Sequence, residues 1–265
     1  MFARLYSQVG VESAGGPDAT VGEAFDSAFR VLKRVGLRDE YVYRAALTHK
    51  VLMGKHSLNT ASMLSEFRVG RCKADLAILN GTATVYEIKS ERDSLSRLSN
   101  QIGSYKKVFA NVYVVTSEDH LRGVVATTPH DVGILCLSRR YQISTVREAV
   151  DRSDRISPAA VFESLRTVEA RSVLAKLGID APNVPNTRER TVMANQFAAL
   201  VPQEVHTAMV KTLKETRSLA TLSELIGMLP YSLHAAALSI QPPRYSHGRL
   251  LEAINSPLGT ATAWA

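Results

Sequence analysis

Apolar residues recur every three or four positions at Val21, Ala24, Phe25, Ala28, Leu32 and Val35, a spacing that predicts a helix over 21–35 stopped by Gly36. A second helix is expected over 38–53, with Tyr41, Ala45, Leu47 and Leu52 as packing candidates. The period then falls to two through 66–69, 74–79 and 82–88, and Asn80-Gly81 between the last two is a hairpin signal. Helical spacing returns over 94–110, followed by a strand at 111–116, a helix at 118–126 and a strand at 133–138. This alternation predicts an α/β fold in which helices flank a mixed sheet. Beyond residue 158 the strand signals fade, and helices are expected over 159–177, 189–200, 204–218 and, in pieces around Pro230, 221–237.

These changes of period divide the chain into a flexible lead-in at 1–20, an α/β domain at 21–150, a helical subdomain at 151–240 and a loosely packed tail at 241–265. Gly10, Gly15, Gly16 and Pro17 mark the lead-in, and Pro242, Pro243, Pro257 and Gly259 mark the tail.

Composition narrows the class. With 45% hydrophobic and 22% charged residues in 265, the chain is globular rather than disordered, and its 2 cysteines, Cys72 and Cys136, cannot staple a domain of this size. A reducing, cytoplasmic location is expected. Residues 1–7 lack an uninterrupted apolar core of the secretory kind, and the longest greasy stretch, 218–241, is interrupted by Glu224, Gly227, Pro230 and His234, so no membrane partner is expected. Lys and Arg outnumber Asp and Glu 32 to 25, a net charge of +7 that attracts polyanions. Walker loops, a GxGxxG turn, a GxSxG elbow and an HExxH cadence are all missing, which leaves nucleotide hydrolysis, dinucleotide binding, serine-hydrolase and zinc-protease chemistry without support. His49, His120 and His130 read as surface or loop residues.

The informative chemistry lies between Asp75 and Lys89. Residues two apart in a strand share a face, so Glu87 and Lys89 project together while Tyr86 and Ile88 go to the other side. Whether Asp75 joins them depends on the turn. A two-residue Asn80-Gly81 loop puts Asp75 opposite Tyr86, on the wrong face. An odd-length loop, Leu79-Asn80-Gly81 with Gly81 left-handed, pairs 78 with 82 and 75 with 85 and restores a common face. The odd loop is therefore expected.

Two carboxylates and the Ile88 carbonyl are hard oxygen ligands of the kind Mg²⁺ (or Mn²⁺) takes, with positions left for water and phosphate oxygens. Such an ion acidifies water and offsets charge at phosphorus, while Lys89 orients the water or stabilises the transition state. These parts describe phosphodiester hydrolysis. Taken alone, such a spacing is common and describes first an exposed strand pair with a surface ion pair.

The following helix adds to the first reading. Ser94, Arg97, Gln101 and Tyr105 form one polar stripe that begins just after Lys89, while Leu95, Leu98, Ile102 and Phe109 form the stripe that packs. Gln101 can hydrogen-bond a metal ligand or the nucleophilic water, Tyr105 can donate to phosphate or stack, and Arg97 can neutralise phosphate. Arg68, Arg71 and Lys73, just before Asp75, can line a rim that grips backbone phosphates.

Asp75, Glu87-Ile-Lys89 and Gln101-x-x-x-Tyr105 together resemble the PD-(D/E)XK nuclease superfamily in its RecB-like branch, which carries a helical QxxxY element. The run from Tyr86 to Tyr105 is similar to a family of largely uncharacterised bacterial proteins placed there, with similarity over about 38–216, the first half being the more specific. The resemblance implies an αβββαβ restriction-endonuclease-like core, followed here by the helical subdomain, and Mg²⁺-dependent cleavage of nucleic acid, DNA over RNA, leaving a 5′-phosphate. It makes Asp75 and Glu87 metal ligands, Lys89 the catalytic lysine and Gln101 and Tyr105 accessory. It also matches Glu66 to an acid near the first strand that holds a second metal or its water. Ala74 stands where the consensus has proline. The alternative is a catalytically silent nucleic-acid or protein-binding module that keeps the fold, and a single site per chain would favour a homodimer for double-strand cleavage.

Overall fold

A computed structural model of the chain describes residues 19–262. The expected lead-in at 1–20 lies almost wholly outside the described residues. Helix α1 (Val21–Leu32) opens on a capping box: the Thr20 hydroxyl accepts the Glu23 amide and the Glu23 carboxylate accepts the Thr20 amide. Helix α2 (Glu40–Leu47) starts at an Asp39 cap, loosens into a π-helical turn, Thr48–Leu52, and closes with Met53–Lys55.

A six-stranded sheet follows in the order β1-β2-β3-β4-β5-β6. Strands β1 (Ser62–Val69), β2 (Cys72–Asn80) and β3 (Thr82–Lys89) form an antiparallel meander. Helix α3 (Leu98–Tyr105) crosses to β4 (Asn111–Ser117), parallel to β3, and α4 (Glu118–Thr127) crosses to β5 (Gly133–Leu137), parallel to β4. An antiparallel edge strand, β6 (Ile143–Arg147), completes the mixed sheet. The sequence pattern does not predict it, because its three central residues are exposed and show no half-buried alternation. Helix α3 is shorter than the expected 94–110: the Ser94 hydroxyl accepts the Ser96 amide and holds that segment in a turn.

Helices α5 (Pro158–Ser164), α6 (Thr167–Lys176), α7 (Asn186–Ala198) and α8 (Pro202–Thr216) cover one face of the sheet, so that Val161, Phe162, Met193, Phe197 and Met209 share a core with Val85, Val112 and Val114. On the other face Tyr43 and Leu47 of α2 pack with Tyr86, Ile88 and Val115, joined by Leu225 of α9 (Ser223–Met228) and Leu238 of α10 (His234–Ile240). The helices beyond residue 150 thus complete both faces of the sheet.

The stretch expected as a loose tail instead contains α11 (His247–Asn255) and α12 (Leu258–Thr262). Ile254, Leu258 and Ala261 are buried, and the Leu258 amide bonds the Ala19 carbonyl. Apolar spacing between the prolines lets short helices form there and pack on α1. His49 also departs from its expected place. It sits in the π-helical turn, stacked on Tyr231 at 3.6 Å between ring centroids, with Nε2 3.1 Å from Nδ1 of His234.

Candidate functional site

The β2–β3 turn sets the site. Leu79 pairs with Ala83 and Asn80 with Thr82, leaving Gly81 at the tip with φ 75°. This is an odd loop, as expected, but the pairing runs further than expected: Asn80 rather than Ile78 pairs with Thr82 and closes it. Carried one step beyond Leu76↔Tyr86, that register sets Asp75 opposite Glu87 rather than Val85. The Ile88 amide donates to Asp75 Oδ2 at 2.7 Å, so the carboxylate stands in for a ladder carbonyl. Because N–H and C=O of one residue in an extended strand project to the same edge, the Ile88 carbonyl faces this edge too.

Glu87 and Lys89 share a face as their spacing requires, with Tyr86 and Ile88 in the opposite core. Lys89 Nζ donates to Glu87 Oε1 at 2.7 Å and to Gln101 Oε1 at 2.9 Å. Gln101 Nε2 donates to the same Glu87 oxygen, and the Tyr105 hydroxyl lies 2.7 Å from Oε2. The amide orientation of Gln101 follows: a carboxylate only accepts and an ammonium only donates, so its nitrogen faces Glu87 and its oxygen Lys89. Both oxygens of a carboxylate that is 1% exposed therefore have donors.

Tyr105 departs from its expected role. It is fully buried, its hydroxyl is also 2.8 Å from the Lys73 carbonyl, and it positions Glu87 rather than donating to phosphate. Burial and the neighbouring Glu87 raise its pKa above the ordinary phenol value. The Asp75 carboxyl is pushed up to about 7, first by burial and then by the facing Glu87, with the Ile88 amide opposing. Glu40, at the start of α2, adds to that upward push and so belongs to the neighbourhood of the site. Nothing in its spacing from Asp75 announces this, since it lies on a different element 35 residues earlier.

Glu66 does not join the cluster. Its φ of 52° is left-handed, the β1–β2 ladder skips the Glu66–Asp75 pair, and its exposed carboxylate bonds Lys73 Nζ at 2.5 Å. That bond lowers its pKa. The break also turns both strands over: Leu64 and Phe67, and Ala74 and Ala77, reach the same core at a spacing of three instead of two. Lys73 is accordingly neutralised by Glu66, while Arg68 and Arg71 are exposed and form no ion pair among the described residues. Arg97 is exposed at the start of α3, one helical turn before Gln101.

Among the described residues no three His, Cys, Asp or Glu side chains cluster closely enough to hold a metal ion. The oxygen donors that could hold a divalent cation here are Asp75, Glu87 and the Ile88 carbonyl. That set suits Mg²⁺, which is held by one or two carboxylates and keeps several waters. A cation there would also relieve the repulsion that pushes Asp75 up.

Comparison with known proteins adds a family. The sequence profile described as Bacteriophage P4 protein cII matches residues 33–226. Protein cII of Enterobacteria phage P4 is 28% identical over 193 residues, spanning 71% of this chain and 72% of that protein. Among solved structures, the SPO1766 protein of unknown function from Silicibacter pomeroyi aligns over 51% of this chain and 87% of its own, at 19% identity and a TM-score of 0.34. No helix among the described residues is long and apolar enough to cross a membrane.

Proposed function

This chain belongs to the bacteriophage P4 protein cII family, and for this member of it we propose a metal-dependent nuclease that hydrolyses phosphodiester bonds of nucleic acid, DNA rather than RNA. The reading rests on one observation: at the end of β3, a buried acid–lysine pair faces a second carboxylate across the strand pair, beside an outward main-chain carbonyl. The order α2-β1-β2-β3-α3-β4 supports it, being the αβββαβ order that the resemblance to PD-(D/E)XK nucleases implies.

Asp75, Glu87 and the Ile88 carbonyl would hold Mg²⁺ or Mn²⁺, whose chemistry there is Lewis acidity toward phosphate oxygens and water. The remaining work belongs to the chain. Glu87 and Gln101 hold the Lys89 ammonium beside the reacting phosphate, where its charge is unscreened by water and stabilises charge developing in the transition state. Tyr105 keeps Glu87 from rotating away from Asp75.

Cleavage of supercoiled plasmid and single-stranded DNA with Mg²⁺ or Mn²⁺, comparing wild type with Asp75→Ala and Lys89→Ala, tests the proposal. Metal-dependent cutting that both substitutions abolish is the expected result. A catalytically silent nucleic-acid-binding module is the second reading, favoured by the protein donors already on both Glu87 oxygens. Binding without cleavage in either metal would select it.

A further inference from the structure

The site lies between two basic rims. On one side the β1–β2 hairpin extends past Asp75 to a two-residue turn, Gly70-Arg71, where Val69 pairs with Cys72. Because β2 is antiparallel to β3, this tip lies beyond the carboxyl end of β3. Arg68 and Arg71 are exposed on it.

On the other side, three segments are tied together. The Gly36 amide donates to Glu91 and Arg92 donates back to the Gly36 carbonyl, both at 2.8 Å. Buried Arg38 donates at 2.8 Å to the carbonyls of Lys33, Ser138 and Arg139. This second rim exposes Arg34 and Arg92, with Arg97 next to it at the start of α3. None of the three forms an ion pair among the described residues. Of the nearby acids, Glu40 pairs with Arg44, and Glu118 and Asp119 with Arg139, while Glu91, Asp93 and Asp39 keep their charge and accept from the Gly36 amide, the Ser90 amide and hydroxyl, and the Val42 amide.

Neither rim offers a ring on which a base could stack. Phe67 is the only aromatic residue in segments 33–38, 66–73 and 90–97, and it is buried. Among the described residues, the exposed aromatics of the large hydrophobics, Tyr231 and Tyr245, belong to the C-terminal helices. Phosphate contacts position a polynucleotide without reading its bases, whereas sequence-tolerant single-strand binders add aromatic platforms.

We infer that a polynucleotide crosses the site by its backbone, from Arg68 and Arg71 on the hairpin to Arg34, Arg92 and Arg97 on the far rim, and is gripped without regard to base sequence. The inference rests on the phosphodiester reading of the site and adds the path and the manner of recognition. It moves the grip away from Lys73, whose charge Glu66 offsets, and adds to the expected Arg97 two residues, Arg34 and Arg92, that sequence spacing does not connect with the site.

The test is fluorescence-anisotropy binding of labelled oligonucleotides of about 20 nucleotides in Ca²⁺ across a salt series, since each phosphate contact contributes about 0.7 to 0.9 to the salt slope. Arg34→Ala/Arg97→Ala and Arg68→Ala/Arg71→Ala should each weaken binding about tenfold and lower the slope by roughly 1.4 to 1.8. Oligo-dT and a mixed sequence should bind alike. Lys55→Ala/Lys211→Ala, which removes equal charge elsewhere, should bind as wild type does. These six side chains make no hydrogen bond or ion pair among the described residues, and equal melting temperatures check that the fold is kept. Unchanged binding by Arg34→Ala/Arg97→Ala, or a strong base preference, overturns the inference. Metal-dependent cleavage measured in parallel separates the two ideas: cutting with rim-independent binding sinks the path alone, whereas rim-dependent binding without any cutting sinks the nuclease reading alone.

Discussion

Nζ of Lys89 stands 2.7 Å from Oε1 of Glu87, two residues back on the same strand, with the side chains 9% and 1% exposed. Both charges have left water, so each depends on the other and on Gln101 and Tyr105 for its partners. A surface ion pair contributes up to about 1 kcal/mol, whereas stranding one charge of a buried pair costs about 3–5 kcal/mol.

Lys89→Met should therefore destabilise the protein by about 3–5 kcal/mol in urea unfolding. Glu87→Gln/Lys89→Met, which removes both charges, should recover at least half of that loss. A Lys89→Met protein as stable as wild type would mean that the pair is solvated.

Asp75 makes stability fall as pH rises. Its unfolded-state carboxyl ionises near pH 4, while the folded chain keeps the proton up to about 7 because of burial and Glu87. The folded state therefore holds more protons between these values, and its advantage is lost as pH climbs through them. Asp75→Asn keeps the Ile88 hydrogen bond without the charge. The two proteins should melt alike near pH 4, and the variant should melt at least about 2 °C higher near pH 8. Millimolar Mg²⁺ should raise the wild-type melting temperature at the higher pH and leave the variant unmoved.

His49 works in the opposite sense. The Leu229 carbonyl only accepts, so His234 Nε2 donates to it, and His234 Nδ1 lies 3.1 Å from His49 Nε2. Burial, with His234 beside it, pushes the His49 pKa down to about 4. The unfolded chain thus takes up a proton below about pH 6.5 that the folded chain refuses until about 4, and stability falls as pH drops through this window. His49→Phe keeps a ring against Tyr231, and its melting temperature should depend less on pH across that interval than the wild type's.

Gly133 begins β5 where no larger residue fits. A Cβ there would lie 2.2 Å from Cε1 of Tyr113 and 2.8 Å from the Ala149 amide nitrogen. Tyr113 cannot yield freely, being stacked on Tyr86 and bonded to Glu148. Gly133→Ala should cost about 1–3 kcal/mol, read as a lowered urea midpoint. An unshifted midpoint would mean that the Tyr113 ring is free to move.

Glu87 and Lys89 meet, and Gln101 and Tyr105 fall on one side of α3, because side-chain direction repeats every two residues in a strand and every 3.6 in a helix. Those periods belong to the covalent backbone, so local residue order was enough to specify these pairings, the α/β alternation and the first five strands. Opposing Asp75 to Glu87 needed the closure of one turn. Expelling Glu66 needed a left-handed residue at a strand interruption, and bringing Glu40, Arg34 and the tail helices into place needed packing between distant segments. These features arose on folding, because register across a turn and contacts between remote elements come from the balance of burial and hydrogen bonding over the whole chain, which no local period encodes.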